Sequence, residues 1–279
     1  MKTSYLHKLQ SRLHLLIQSI VAEFFRCSKL NTLSLNGIVA SIIWPLLGLL
    51  TTLFTYKSFN LKLFARFGIN SYSDFLIFLL TGFVSLSFYS AMTTQALSIQ
   101  RDREDGTLQI IYISPANRFG LLLGRALSGL PQIIFSFVLI YFYIFLISSG
   151  KPFIKIMFYA IAGVLLFISA SLWGTFMCAL YLVSRNTSIW YILFNTPMEY
   201  LSGVSIPIRS FPKFLYVLSF IFPLTYTLQI VRKLSILSWP GIIDWLTFIL
   251  VNFLCFFFTL FVINKSENNS RKSGTIDLF

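Results

Sequence analysis

Charge is scarce in this sequence, and acid is scarcer still. Only 11% of the 279 residues are charged, with nine Asp and Glu against 22 Lys and Arg. A soluble domain carries about 25% charged and about 45–50% apolar residues. Here 56% are hydrophobic and 31 are Phe. That balance leaves no stretch for a soluble catalytic domain. There are two histidines, His7 and His14, and neither falls in an apolar run. A serine hydrolase or an intramembrane metalloprotease needs histidine beside its nucleophile or metal, so both are excluded. The three cysteines, Cys27, Cys178 and Cys255, are far apart and lack metal-ligand spacing, so they read as small buried hydrophobes. There is no Gly-x-x-x-x-Gly-Lys-Ser/Thr; Gly150-Lys151 runs into Pro152. The chain therefore has no phosphate loop of its own. No catalytic residue, metal site or bound cofactor is expected.

What is present is apolar length. A mean hydropathy of +0.78 and several long uncharged runs predict an all-α polytopic membrane protein, a single membrane domain over residues 1–279. A span needs about 20 mostly apolar residues. Six candidates follow: Leu35–Tyr56, Phe75–Gln100, Phe119–Ser148, Ile156–Ser184, Ser188–Ser205 and Trp245–Asn264. The fifth is the weakest, because it holds Pro197 and Glu199. Residues 265–279 form a short polar tail, expected to be disordered. Residues 1–30 carry charge throughout, with no compact apolar run before a small-residue cleavage site, so no signal peptide is expected. Instead, Leu6, Leu9, Leu13, Leu16, Ile20 and Phe24 recur at spacings of three and four. With Lys8, Arg12, Arg26 and Lys29 beside them, they predict an amphipathic helix lying on the membrane.

The net charge of +13 sits mostly between apolar runs. It reads as contact with lipid headgroups rather than nucleic acid, since no basic domain exists to carry the latter. With six spans both termini share a side. Placing them inside puts twelve Lys and Arg in the inner segments and nine in the outer loops, a modest bias toward cytoplasmic termini.

One stretch stands apart. Arg101 to Pro115 reads Arg-Asp-Arg-Glu-Asp-Gly-Thr-Leu-Gln-Ile-Ile-Tyr-Ile-Ser-Pro, the only dense charge cluster between two long apolar runs. Asp102, Glu104 and Asp105 precede Thr107, where acids would oppose the positive end of a helix dipole. Gly106 permits a bend. Leu108, Ile111 and Tyr112 share a face, and Ser114-Pro115 ends the helix. A short amphipathic helix at the membrane surface is predicted. After it, Gly120, Gly124 and Ser128 recur every four residues, a small-residue face that admits a close helix neighbour. Arg125 lies one position past that face. Snorkelling to the headgroups is expected of it, ahead of pairing with an acid of the charged stretch. Glu199 is the one carboxylate within an apolar span. Pro197 and Pro207 put it close to the outer surface, where simple hydration competes with a place on a substrate path. Between the fifth and sixth spans, Pro207, Pro212, Pro223 and Pro240 break the chain around the apolar run Phe214–Phe222. These predict short helices dipping into the outer leaflet.

The run Asp102, Glu104, Gly106, Thr107, Leu108, Ile110, Ile111, Ser114 and Pro115, continued by Arg118, Gly124 and Arg125, resembles the membrane subunits of the ABC-2 family of ATP-binding-cassette exporters. A second match follows at Ser202-Gly203, Pro207, Phe211-Pro212, Pro223-Leu224-Thr225-Tyr226 and Arg232. Gln109 departs from it, standing where the family often has Glu. The resemblance implies that the N-terminal segment is an elbow helix and that the loop after the second span is a coupling helix. Asp102, Glu104, Asp105, Gly106, Thr107, Leu108, Ile111, Ser114 and Pro115 would then meet a separate cytosolic ATPase. It further implies two ATPase subunits, which bind the ATP and Mg, and a second permease copy or paralogue. The complex would sit in a bacterial cell membrane and move a hydrophobic or amphipathic substrate outward, such as a drug, an antimicrobial peptide or a lipid-linked molecule. The competing reading is a membrane protein without ATP coupling, an ion-driven carrier or an assembly factor. A carrier usually shows several buried charges and repeat symmetry, and here Glu199 alone qualifies.

Overall fold

A computed structural model describes residues 2–29, 71–114, 116–148, 150–184 and 186–273, with isolated helical positions between Val39 and Phe54. The expected first span, Leu35–Tyr56, lies almost wholly outside the described residues, as does Pro115. All regular structure among the described residues is helical. The order is α1 (Lys2–Cys27), α2 (Tyr72–Ala96), α3 (Ser98–Glu104), α4 (Thr107–Ile113), α5 (Arg118–Leu127), α6 (Leu130–Ile147), α7 (Pro152–Val183), α8 (Thr187–Leu201), α9 (Lys213–Ser219), α10 (Pro223–Ser235) and α11 (Ile242–Ser273).

Among the described residues three helical stretches are long and apolar enough to cross a membrane: residues 72–104, 152–183 and 242–268. The count rises to five if two bent pairs are each one span. These are residues 118–134 with 136–147, bent by 46° within α6, and α9 with α10, bent by 87°. The protein is thus a multi-pass helical membrane protein. The fifth expected span is corrected: α8 covers Thr187–Leu201 and has only 15 residues, about 22 Å at 1.5 Å per residue. The tail is corrected as well. The last helix continues to Ser273 and returns to the bundle where Glu267 pairs with Arg118 at 3.6 Å.

Helix starts follow local rules. Ser71 and Asp74 form a reciprocal capping box at the head of α2, satisfying two backbone N–H groups that the helix leaves free. Asn117 and Asn186 cap α5 and α8 through their side-chain oxygens. Pro152 and Pro223 stand in the first turns of α7 and α10, where a missing N–H costs nothing.

α7 is the hub, packed by α2, α5, α10 and α11. Tyr89, Met92, Leu166, Met177, Leu228 and Ile230 are fully buried around it. At the centre three hydroxyls close on one another. Tyr89 Oη lies 2.6 Å from Ser169 Oγ and 3.0 Å from Thr227 Oγ1, and the latter pair are 2.9 Å apart. Such a group tolerates burial because each member has partners. The faces turned outward are apolar, with Val138, Phe142, Leu146, Phe253, Phe257 and Phe261 among them, as expected of surfaces in contact with acyl chains.

Three helix C-termini are closed by a cation from a neighbouring segment. Arg103 donates to the carbonyls of Tyr181, Leu182 and Ser184 at the end of α7. Lys155 donates to Phe145 and Ser148 at the end of α6. Arg232 donates to Gly203 and Val204 just past α8, at 2.7 and 3.0 Å, and stacks over Phe78 at 3.5 Å. In each case free carbonyls and the negative helix pole supply what a carboxylate otherwise would.

Candidate functional site

The charged stretch does not start a helix; it finishes one. Arg101 to Glu104 lie in α3, which follows α2 after a break at Leu97 and completes the apolar stretch 72–104. Gly106 then turns the chain with φ +69°, a left-handed conformation that other residues adopt at a cost of about 1–2 kcal/mol. α4 leaves from there. The expected dipole role of Asp102, Glu104 and Asp105 is therefore corrected. None lies in the first turn of α4, and its cap position is Gly106, with no side-chain cap bond.

The three acids have separate places. Glu104 accepts from Gln100 Nε2 at 2.9 Å, and Asp105 is exposed. Asp102 turns inward, and its main-chain carbonyl accepts from Thr107 Oγ1 at 3.2 Å. Its carboxylate meets Arg26 of α1, with Nη1 to Oδ1 at 3.1 Å and Nη2 to Oδ2 at 2.7 Å. It also accepts from Arg125 Nη2 of α5 at 2.5 Å. The second acid of this cluster is Glu23 of α1. It accepts from Arg125 Nε and Nη2 at 2.9 and 2.6 Å and from Arg26 Nε and Nη2, both at 2.8 Å. Two carboxylates and two guanidiniums thus join α1, α3 and α5.

Arg125 is 3% exposed. The snorkelling expected of it is overturned: its partners are inside the protein, and that pairing offsets the cost of burying a permanently charged guanidinium. Burial alone would raise the Glu23 pKa, but the Arg26 hydrogen bonds and the charges of Arg125 and Arg26 outweigh it and hold the carboxyl at about 2.

α1 reaches this cluster because α5 gives it room. A Cβ at Gly120 would lie 2.9 Å from the Leu16 carbonyl oxygen, and one at Gly124 would overlap the main chain of Ile20. The neighbour admitted by these small residues is the N-terminal helix. Ser128, the third member of the stripe, has another place. Its hydroxyl returns to the Arg125 carbonyl at 2.7 Å, where α5 ends. Ser19 fixes the register by accepting from the Asn117 N–H at 3.0 Å. The packed face of α1 is therefore Leu16, Ser19, Ile20, Glu23 and Cys27, while Leu13, Ile17, Val21 and Phe25 are exposed.

α4 shows two sides. Leu108 is 6% exposed and, with Ile111, lines a small cavity shared with Glu23, Ile99, Arg118, Leu122 and Arg125. Leu108 therefore seats the helix on its own chain rather than presenting it to a partner. Ile110 points away and is 71% exposed. Glu104, Asp105 and Gly106 are exposed at the same corner. Ser114 leaves the helix in an extended conformation, its hydroxyl bonded to the Ile111 carbonyl at 2.7 Å. Glu199 stands apart, exposed in the last turn of α8. Among the described residues no group of three or more His, Cys, Asp or Glu could hold a metal.

The residues missing from the expected site were Glu23 and Arg26. A signal for the first was present. Glu23 is the sole acid in the first 73 residues, and it stands beside the apolar stripe of an otherwise basic helix.

The described residues thus form a helical membrane domain with an ion-locked corner between two apolar stretches. Residues 22–236 match the family model of the ABC-2 type transporter, and the chain belongs to that family. It is also 25% identical over 209 residues to a protein of Cyanophora paradoxa named "Putative transport permease ycf38", covering 74% of this chain and 69% of that one. Members of this family are membrane components, not catalytic subunits.

Proposed function

We propose that the chain is the permease subunit of an ATP-binding-cassette exporter, driven by ATP that a separate cytosolic ATPase hydrolyses. The family carries a general implication of an ABC ATPase partner. The observation that carries the reading is the two-sided corner at residues 98–113. Its inner side is locked to α1 and α5 by Asp102, Glu23, Arg26 and Arg125, and its outer side offers Glu104, Asp105 and Ile110. A push on α4 from an ATPase would reach the third span and the N-terminal helix together, because the ion cluster leaves little slack between them.

In this reading α1 is the elbow helix and α4 the coupling helix. Residues 35–56 supply the first of six spans, α8 with its 15 residues stands as a short fifth, and both termini are cytoplasmic. The count of twelve inner against nine outer cations supports that orientation. The working unit would hold two permeases and two ATPases in a bacterial cell membrane. The cargo would be hydrophobic or amphipathic.

The test is co-expression with a candidate ABC ATPase from the same genome, followed by affinity purification and an ATP-hydrolysis assay in nanodiscs. Co-purification is expected. Ile110→Asp should reduce the ATPase recovered by about tenfold, as a charge in the apolar centre of an interface does. An intact complex with Ile110→Asp, or no complex with the wild type, would contradict the reading.

A further inference from the structure

The face of α8 that no other described helix covers differs from the remaining outward faces of the bundle. Ile189, Ile192, Leu193 and Tyr200 are 60%, 63%, 56% and 71% exposed, and Thr196 and Glu199 lie exposed among them. The outward faces of α6 and α11 carry Phe, Tyr, Leu, Ile and Val, and the acids of α11, Asp244 and Glu267, are each paired with a cation.

The depth of Glu199 follows from the start of its helix. Thr187 hydrogen-bonds Gln100, which in turn donates to Glu104 at 2.9 Å. The head of α8 is therefore level with the charged corner. Glu199 stands twelve residues on, a rise of about 18 Å. A hydrocarbon core is about 30 Å thick. With the corner at the inner surface, the carboxylate falls within the hydrocarbon core, in its outer half. It makes no hydrogen bond or ion pair among the described residues. One turn below, Asn195 is 6% exposed and donates Nδ2 to Tyr191 Oη at 3.2 Å. Its Oδ1 is buried without a donor. Two acceptors one turn apart, in an apolar setting, both lack a donor. A carboxylate at that depth calls for a cation or a donor.

We propose that this face of α8 receives the cationic group of an amphipathic substrate, an alkylammonium on an apolar body, with Glu199 as its counter-ion. The inference deepens the permease reading and rests on it. The apolar residues around Glu199 would take the hydrophobic body, and the exposed Tyr200 ring offers a further surface to a cation. A neutral lipid would leave the carboxylate bare, and an anionic one would be repelled.

The probe is a pyrene-labelled dodecyltrimethylammonium, compared with its uncharged isostere in which carbon replaces the quaternary nitrogen. Binding is measured by fluorescence anisotropy on the permease in nanodiscs, with and without its ATPase. The wild type should bind the cation about tenfold or more tightly than the isostere, as a desolvated charge pair allows. Glu199→Gln should bring the ratio close to one, and Glu199→Asp should keep most of it. Equal binding of the two probes by the wild type would overturn the proposal, as would a ratio that Glu199→Gln leaves unchanged. So would a Glu199→Gln variant that weakens both probes equally while splitting a permease dimer, since the cation would then belong to a second copy. If no ATPase associates and the probe ratio still holds, the permease reading fails and the binding inference stands.

Discussion

Arg125→Met should be the most damaging single substitution in the chain. It leaves Glu23 and Asp102 buried with only Arg26, whose side chain is 32% exposed, to share. Removing one partner from a buried ion cluster costs about 3–5 kcal/mol, a large fraction of the stability of a typical domain. The detergent-purified variant should melt far below the wild type or aggregate on size exclusion. The triple variant Glu23→Gln, Asp102→Asn, Arg125→Met should recover most of the loss. It removes both buried acids together with their main counter-ion and leaves Arg26 able to reach water. Such a triple variant would separate stability from coupling: folded protein with weakened ATP-driven transport is expected, because α1, α3 and α5 would no longer be tied by charge. A single Arg125→Met variant as stable as the wild type would show that the cluster does not hold the corner.

Gly124→Leu should come second. The space where its side chain would begin is occupied by the main chain of Ile20, and a backbone cannot swing aside as a flexible side chain can. Overpacking a well-filled interface costs about 1–3 kcal/mol. Here the forced shift also draws Glu23 away from Arg125, its neighbour in sequence being the substituted residue. A drop in melting temperature and loss of transport should appear together. Gly241→Leu is the control, since a Cβ there meets only the Asp244 carboxylate, at 3.4 Å, and it should behave much like the wild type.

Much of the fold is written in apolar run length. The spans expected at Phe75–Gln100, Ile156–Ser184 and Trp245–Asn264 overlap, over all or nearly all their length, the helical stretches at residues 72–104, 152–183 and 242–273. Their ends are less legible, because a helix does not stop where hydropathy falls. Arg101 to Glu104 stay helical as the last turns of α3, and the corner waits for Gly106. The tail beyond Lys265 stays helical for the same reason. α8 was misjudged in the opposite direction: apolar residues continue past Leu201, but Gly203, with φ +83°, and Pro207 turn the chain.

The ion cluster was half legible. Asp102 and Arg125 stand out as charges beside apolar runs, but their partners come from α1, more than 70 residues earlier in the chain. Periodicity assigns polar residues of an amphipathic helix to water by default. Glu23 escapes that rule because it flanks the stripe that Gly120 and Gly124 receive, and only the packing of α1 on α5 makes that visible. Leu108 teaches a related point. Its place on the apolar face of α4 was readable, but not which of two surfaces that face would meet, its own chain or a partner.

The most direct test of the account is the side of the membrane on which Ile110 stands. Ile110→Cys, in a chain with Cys27, Cys178 and Cys255 replaced by Ser, can be challenged with a membrane-impermeant maleimide. The account predicts no labelling in intact cells, strong labelling in inverted vesicles, and protection there by the bound ATPase. Labelling from outside intact cells would contradict it.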